Sequence, residues 1–379
     1  MHILHLTATL SFGGAQKITV GLAEQAVNHG HEASILTVTS GNDFAERLQE
    51  AGISFRTLGY EGSFTPRNLL SILRLRREMV ETVHQIDPDV IHEQLFIPKI
   101  LAIGMSDIAG RPVVHTQQDS SPWWSRGGAY AYLQTLIERS FSKRIVNENV
   151  AVSASVLEEM KDYGLVQEEE GTVIHNFTEI TPAEPDEISV LGDGPLKLFM
   201  VTRLTWEKKG LDTAVDILAR LRDQNEDVRL VVVGDGPDRE KMAAYADERE
   251  VRQAIEFRGY QENVRSQYRE ADLLLMPSRW EGLSLTATEA TAMGVPVVGS
   301  QIGGICEVVE HGETGFTSPP ENARSFVEHI KRLMHAPELY QRFSKSGIRR
   351  VQNHFTPESA FEAYEEVYRN ADVTNNNQY

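Results

Sequence analysis

Glu281 and Glu289 stand in an E-x7-E arrangement, Trp280-Glu281-Gly282-Leu283-Ser284-Leu285-Thr286-Ala287-Thr288-Glu289, directly after the apolar run Leu273–Met276. That run reads as a buried parallel strand, which Pro277 and Ser278 end. Gly282 permits a tight turn, and a helix is expected to begin near Leu283. A strand, a loop and a helix entry together present backbone N–H groups and a positive dipole end to an anion, so Gly282, Leu283 and Ser284 are candidate ligand positions. Carboxylates repel phosphate but accept hydrogen bonds well from sugar hydroxyls. A phosphate pocket edged by hydroxyl-reading acids suits a nucleotide sugar. The same two residues also fit a plainer reading, in which Glu281 complements a helix dipole and Glu289 is solvated.

A second group of candidates lies earlier, in Arg203-Leu204-Thr205-Trp206-Glu207-Lys208-Lys209-Gly210, just past the apolar run Leu196–Val201. Arg203 offers a bidentate fork for phosphate oxygens and Lys209 a mobile point charge. A diphosphate leaving group gains negative charge as its glycosidic bond breaks, and preorganised cations there lower the barrier. Lys208 is an alternative to Lys209. In the first half, Ser11-Phe12-Gly13-Gly14-Ala15-Gln16 sits where a first strand would pass into a first helix, and glycines there let backbone approach a phosphate.

These residues need a scaffold, and the chain supplies one twice. Strands are expected at His2–Leu6, Ile35–Thr39, Ile53–Thr57, Asp89–Ile91, Val113–Thr116, Val150–Ser153 and Val173–Ile174, with helices near Gln16–Asn28 and Leu69–Ile86 between them. A polar, proline-containing stretch, 178–195, reads as a linker. The pattern restarts with strands Leu196–Val201, Val228–Val233, Ile255–Phe257, Leu273–Met276 and Val297–Gly299, and a helix near Leu211–Gln224. Strand–helix alternation implies α/β architecture, with parallel sheets covered on both faces. The expected plan is a Rossmann-like domain over 1–177, the linker, a second Rossmann-like domain over 196–355, a terminal helix over 356–370 and a disordered tail over 371–379. Ligands in such sheets bind outside the carboxyl ends of the strands, so two facing domains imply a cleft. Thr356-Pro357-Glu358 marks the start of the last helix, with Pro at its first position and Phe361, Tyr364, Val367 and Tyr368 on one face.

Composition narrows the function classes. A chain of 379 residues with 41% hydrophobic content suits two soluble globular domains. Its longest apolar runs are strand-length, and Met1-His2-Ile3-Leu4-His5-Leu6 enters a strand pattern without a leader-like segment. The single cysteine, Cys306, excludes an internal disulfide and a multi-cysteine metal site. A cytoplasmic location follows as the default. A net charge of −18 argues against a nucleic-acid partner. Asp87-Pro88-Asp89 is formally D-x-D, but its proline between a helix and a strand favours a turn over a metal site. Neither half opens on G-x-G-x-x-G, and Walker and H-E-x-x-H motifs are absent from the sequence.

The E-x7-E element resembles that of the retaining GT-B glycosyltransferases of family 4, also called group 1, and the likeness extends along nearly the whole chain. The resemblance implies that Glu281 contacts the donor sugar and Glu289 the ribose, and that Arg203 and Lys209 steady the departing diphosphate. It implies that Gly13 and Gly14 meet the same diphosphate. Val231-Val232-Val233-Gly234-Asp235-Gly236-Pro237 is similar to the family's strand-GDGP element, and Phe257-Arg258-Gly259-Tyr260 to its FxG element, which would set Tyr260 beside the base or simply as the cap of a strand. Gly303-Gly304 and Gly312-Glu313-Thr314-Gly315-Phe316 match its glycine-rich loops, as direct ligands or as plain turns. One departure stands out: Thr116-Gln117-Gln118 places Gln118 where the family often has a sugar-touching His. An amide still bonds a sugar hydroxyl but carries no charge.

The implied activity is metal-independent, cofactor-free transfer of a hexose-type sugar from a nucleoside-diphosphate sugar, with UDP ahead of GDP, to a saccharide or lipid-linked acceptor in cell-surface glycan synthesis. Arg67-Asn68-Leu69-Leu70-Ser71-Ile72-Leu73-Arg74-Leu75-Arg76-Arg77 and the Trp123-Trp124 loop with Arg126 fit either peripheral contact with the inner face of a membrane or ordinary packing. Two rivals remain: a sugar-nucleotide epimerase or hydrolase of the same architecture, and a catalytically silent binding subunit of a glycan assembly complex.

Overall fold

The computed structural model describes residues 1–62, 68–94, 110–120, 136, 139–140, 142, 145–184, 188, 191 and 194–376. Arg67, Trp123, Trp124 and Arg126 lie outside them. The chain divides into two compact units, residues 1–176 with 357–379, and residues 177–356.

The first unit is built on a seven-stranded sheet in the order β3-β2-β1-β4-β5-β6-β7. Its strands are β1 (His2–Thr7), β2 (Glu32–Thr37), β3 (Ser54–Thr57), β4 (Val90–Gln94), β5 (Val113–Gln117), β6 (Glu148–Ala151) and β7 (Thr172–Val173). Every pairing is parallel, with β1 in register against β2 from His2↔Glu32 to Thr37's partner Thr7 and against β4 from Ile3↔Val90. Leu4, Leu6, Leu36, Ile91 and Val113 bury one face of the sheet under Leu75, Met79 and Val83 of the helix Leu69–Ile86. On the other face Tyr364 donates to or accepts from Thr116 Oγ1 at 3.0 Å, and Tyr368 Oη lies 2.8 Å from His92 Nδ1. Both tyrosines belong to the last helix, Pro357–Asn376, so the chain leaves this unit at 176 and returns at 357.

The second unit repeats the plan with six strands in the order β10-β9-β8-β11-β12-β13. They are β8 (Leu196–Val201), β9 (Val228–Val233), β10 (Ile255–Gly259), β11 (Leu273–Met276), β12 (Val297–Ser300) and β13 (Gly315–Ser318), again all parallel. The core joins Leu198, Met200, Leu230 and Val232 of the strands to Leu211, Val215 and Leu218 of one helix and Phe326 and Ile330 of another.

Several expectations need correction. β2 starts at Glu32 and ends at Thr37, because the pairing with His2 pulls its start forward. β4 continues through His92, Glu93 and Gln94, whose polar side chains hide its strand character although all three are fully buried. Gly315 and Phe316, expected in a glycine-rich loop, begin β13. Residues 371–376 are helical rather than disordered: no Gly or Pro interrupts the run, and Ala371 is buried. Part of the expected linker is bound to the second unit, with Ala183 N–H donating to the Ala292 carbonyl at 2.8 Å and Arg265 to the Thr181 carbonyl at 3.1 Å. Asp87 takes a left-handed conformation at a helix end, while Asp89 accepts the His2 N–H at 2.7 Å, so Asp87-Pro88-Asp89 is a turn.

Candidate functional site

In the second unit the strand order reverses direction between β8 and β11. Loops after these two strands therefore diverge to opposite faces and open a ligand crevice at their carboxyl ends. The β8 loop carries Arg203 and leads through the short helix Trp206–Lys209 into Leu211–Asp223; the β11 loop carries Glu281 and leads into the helix Leu285–Ala292. Topology alone places the two candidate groups side by side.

The contact between them is direct. Lys209 Nζ lies 2.5 Å from Glu281 Oε1, and Ser278 Oγ donates to the same oxygen at 2.9 Å. The side chains are 19% and 9% exposed. Burial pushes the Glu281 carboxyl up, but Lys209, Lys208 and the bonds from Lys209 and Ser278 outweigh it and hold the group below the usual carboxylate range. Glu281 is thus an acceptor at neutral pH. Lys209 makes this bond, whereas Lys208 uses its carbonyl to accept the Arg279 N–H at 2.9 Å.

Gly210 explains why the lysine is followed by glycine. It has φ +59°, and a Cβ there would meet the Pro277 carbonyl oxygen at 2.1 Å. Only a residue without a side chain lets the Lys209 turn lie against the end of β11. Gly304 does the same from the other side, since its Cβ would fall 2.4 Å from the Gly282 carbonyl oxygen. Its own carbonyl accepts the Ser284 N–H at 3.0 Å. Gly303-Gly304 therefore holds the Glu281 loop by backbone contact.

Arg203 is exposed and has no ion pair or side-chain hydrogen bond among the described residues. The loop that carries it is fixed by its neighbours: Thr202 N–H donates to the Val233 carbonyl at 2.9 Å and Leu204 N–H to the Asp235 carbonyl at 3.0 Å. The Gly234-Asp235-Gly236-Pro237 turn is thus a backing for Arg203. Tyr260, just past β10, is 58% exposed.

The helix entry differs from expectation. The helix starts at Leu285, with Ser284 as its N-cap accepting the Ala287 N–H at 3.2 Å. The Ser284 N–H donates to the Gly304 carbonyl at 3.0 Å. Gly282 and Leu283 are buried in the loop. The N–H groups of Leu285 and Thr286 precede the first helical bond, from Thr288 to Ser284, and carry the positive end of the helix. Glu289 is not solvated: it is 6% exposed and accepts the Tyr268 hydroxyl at 3.0 Å through Oε2.

Two contributors were missed. Arg279 bonds Asp212 at 2.7 Å, Glu321 at 2.6 Å and the Glu207 carbonyl at 2.9 Å, tying the Lys209 turn to the Glu281 loop. A cation inside Pro277-Ser278-Arg279-Trp280-Glu281 was the available signal. Tyr268 gave none, because an isolated tyrosine in an amphipathic stretch reads as core.

The remaining candidates belong to the first unit, at the carboxyl ends of its strands. Gly13 is the extended N-cap residue of the helix Gly14–Asn28, which has no side-chain cap. A Cβ on Gly13 would meet the far end of the Gln16 side chain, so neither backbone conformation nor packing of fixed atoms demands glycine there. Gln118 follows β5 and is held on both sides, its Nε2 donating to Gln94 at 3.1 Å and its Oε1 accepting from Asn176 at 2.9 Å. His92 and His115 are buried, the former against Thr116 and Tyr368, the latter 2.6 Å from Glu93.

Residues 184–350 match the family model described as Glycosyl transferases group 1, and residues 12–181 match that of Glycosyltransferase Family 4. The chain is 24% identical over 372 residues to glycogen synthase of Mycobacterium tuberculosis, covering 97% of this chain and 89% of that one. It is 24% identical over 368 residues to N-acetyl-alpha-D-glucosaminyl L-malate synthase of Bacillus anthracis, covering 96% and 95%. Among solved structures, Anabaena Alr3699/HepE in complex with UDP and glucose superposes with a TM-score of 0.83 at 20% identity, over 97% of this chain and 99% of that one.

Proposed function

This chain belongs to the GT-B glycosyltransferases, by the Family 4 model in its N-terminal half and the group 1 model in its C-terminal half, and we propose that it moves a hexose-type sugar from a nucleoside-diphosphate sugar with retention of configuration. UDP is the first choice of nucleotide and GDP the next; the similar Anabaena protein was solved with UDP and glucose. The acceptor is a saccharide or a lipid-linked saccharide in cell-surface glycan synthesis.

The observation that carries this reading is the part-buried Lys209–Glu281 pair at the switch point of the second sheet, with Arg203 exposed beside β8. The bond from the sugar's anomeric carbon to the diphosphate oxygen breaks, and its electrons go to that oxygen. Arg203, Lys209 and the Leu285 and Thr286 N–H groups stabilise the charge that appears there. The acceptor oxygen bonds the same carbon from the same face, and its proton passes to the departing diphosphate. Glu281 accepts a donor-sugar hydroxyl and Glu289 the ribose. With two side-chain cations at the leaving group, the reaction needs no metal. Tyr260 borders the base, and Gly13, Gly14 and Gln118 are the contacts assigned to the first unit.

Arg203→Ala gives the cleanest test. An exposed side chain without a partner costs under about 0.5 kcal/mol of stability when removed, whereas loss of a transition-state cation lowers kcat by on the order of a hundredfold. Screening UDP-, GDP-, ADP- and dTDP-sugars for nucleotide release, with and without saccharide acceptors, finds the substrate. Wild-type turnover in a folded Arg203→Ala variant would overturn the reading. Release that no acceptor accelerates would favour the epimerase or hydrolase, and donor binding without turnover the silent subunit.

A further inference from the structure

Glu289 reads donor hydroxyls in the function proposed above, yet nothing in the E-x7-E pattern says what aims it. We propose that Tyr268 is its positioning residue, fixing the carboxylate so that it reads the vicinal diol of the nucleotide ribose. The inference rests on that role for Glu289.

Tyr268 lies in the helix Val264–Glu270, between β10 and β11, and is fully buried. Its hydroxyl donates to Glu289 Oε2 at 3.0 Å. A carboxylate oxygen accepts, so the phenol proton is committed to Glu289. Burial, followed by the neighbouring Glu289 charge, pushes the Tyr268 phenol well above its ordinary range, so it stays a donor throughout the working pH range. A glutamate has three side-chain torsions, and pinning Oε2 fixes the plane of the carboxylate. Two adjacent hydroxyls of fixed geometry are the ligand that such a plane selects.

Affinities for UDP, 2′-deoxy-UDP and 3′-deoxy-UDP, or for the guanosine set if GDP binds tighter, are measured by calorimetry on wild type and Tyr268→Phe. A hydrogen bond to a charged group corresponds to a preference for the full ribose of about tenfold or more in the wild type. In Tyr268→Phe this preference should drop below about threefold, through weaker UDP binding with the deoxy analogues nearly unchanged. A folded Tyr268→Phe variant that keeps the full preference overturns the positioning role and leaves that of Glu289 intact. Wild type that ignores the ribose hydroxyls removes the role of Glu289 itself. If Tyr268→Phe does not fold, Glu289→Gln and Glu289→Ala decide. The amide oxygen still accepts from Tyr268, so Glu289→Gln should keep more ribose preference than Glu289→Ala, and equal loss in both overturns the proposal.

Discussion

Replacing Lys209 by Met keeps most of the stem and removes the charge from a pair whose members are 19% and 9% exposed and 2.5 Å apart. What remains near Glu281 is the Ser278 hydroxyl and the more distant charge of Lys208. Breaking a buried pair from one side costs about 3–5 kcal/mol, because the other charge stays buried. The surviving donor and the partial exposure of Lys209 set the expectation at the lower end, about 3 kcal/mol at pH 7. The pH dependence supplies the sharper test. In the wild type Glu281 titrates below its ordinary value of 4.5, so its contribution is present above that value and lost as pH falls through the folded one. Without Lys209 the largest lowering influence is gone and burial pushes the carboxyl up. The variant's deficit should then shrink as the group takes a proton, and be smaller at pH 4.5 than at pH 7. Urea unfolding at both values, read from Trp206 and Trp280 in a Trp123→Phe, Trp124→Phe background, reports on the second unit. A deficit under about 0.5 kcal/mol at pH 7, or one of equal size at both pH values, would refute the reasoning.

Gly210→Ala places a Cβ 2.1 Å from a backbone oxygen at φ +59°, so the Lys209 turn must shift; a loss of about 2 kcal/mol or more is expected, against about 1 kcal/mol for Gly312→Ala, which has φ +84° but open space, and melting curves compare them. His5 is fully buried, neither ring nitrogen has a partner among the described residues, and burial lowers its pKa to about 3. The unfolded chain takes up that proton near pH 6.5, so stability is complete above this value and falls below it; His5→Leu should flatten the slope of stability between pH 6 and 4 by about 1.4 kcal/mol per pH unit, and an unchanged slope counts against it. Leu70 and Leu73 are 84% and 51% exposed, on one stripe with exposed Arg74 and Arg77; if that stripe meets anionic lipid, Arg74→Gln should weaken sedimentation with phosphatidylglycerol vesicles about fivefold, and equal binding by both proteins would dismiss it.

The legible part of this protein was the part whose signal is local. Leu196–Val201, Val228–Val233 and Leu273–Met276 were placed to the residue, since each is an apolar run closed by a turn residue. Lys209, Gly210 and Glu281 stand out because their types and order are distinctive, and the fold brings Lys209 and Glu281 into contact. The unread part depended on partners distant in sequence. His92, Glu93 and Gln94 look like a loop until β1 and β5 flank them. Tyr268 acquires its role only from Glu289, and Arg279 only from Asp212 and Glu321. The Ser284 capping bond could have been inferred from the Ser at the helix entry; the competing bond from its N–H to Gly304 could not.

The glycines that punctuate the second unit separate two jobs that motif reading merges. Gly210 and Gly304 sit within the candidate site, yet each faces backbone: the Pro277 carbonyl in one case, the Gly282 carbonyl in the other. They permit the loops after β8, β11 and β12 to touch, and that contact sets the distance between Lys209 and Glu281. Ligand recognition then falls to few side chains, and those differ in preparation. Arg203 stands exposed and unengaged among the described residues, whereas Lys209, Glu281 and Glu289 are already bonded within the protein. In the function proposed above, a donor arriving with a diphosphate would share Lys209 with Glu281, and its sugar hydroxyls would replace part of what Lys209 gave that carboxylate. Only a ligand bringing both an anion and hydroxyl donors satisfies each exchange. Free pyrophosphate would take the cation and leave Glu281 without it, while a free sugar would reach Glu281 and leave Lys209 on Oε1. On the proposed reading, the intact nucleotide sugar is preferred because it engages both members of a pair that is closed in advance.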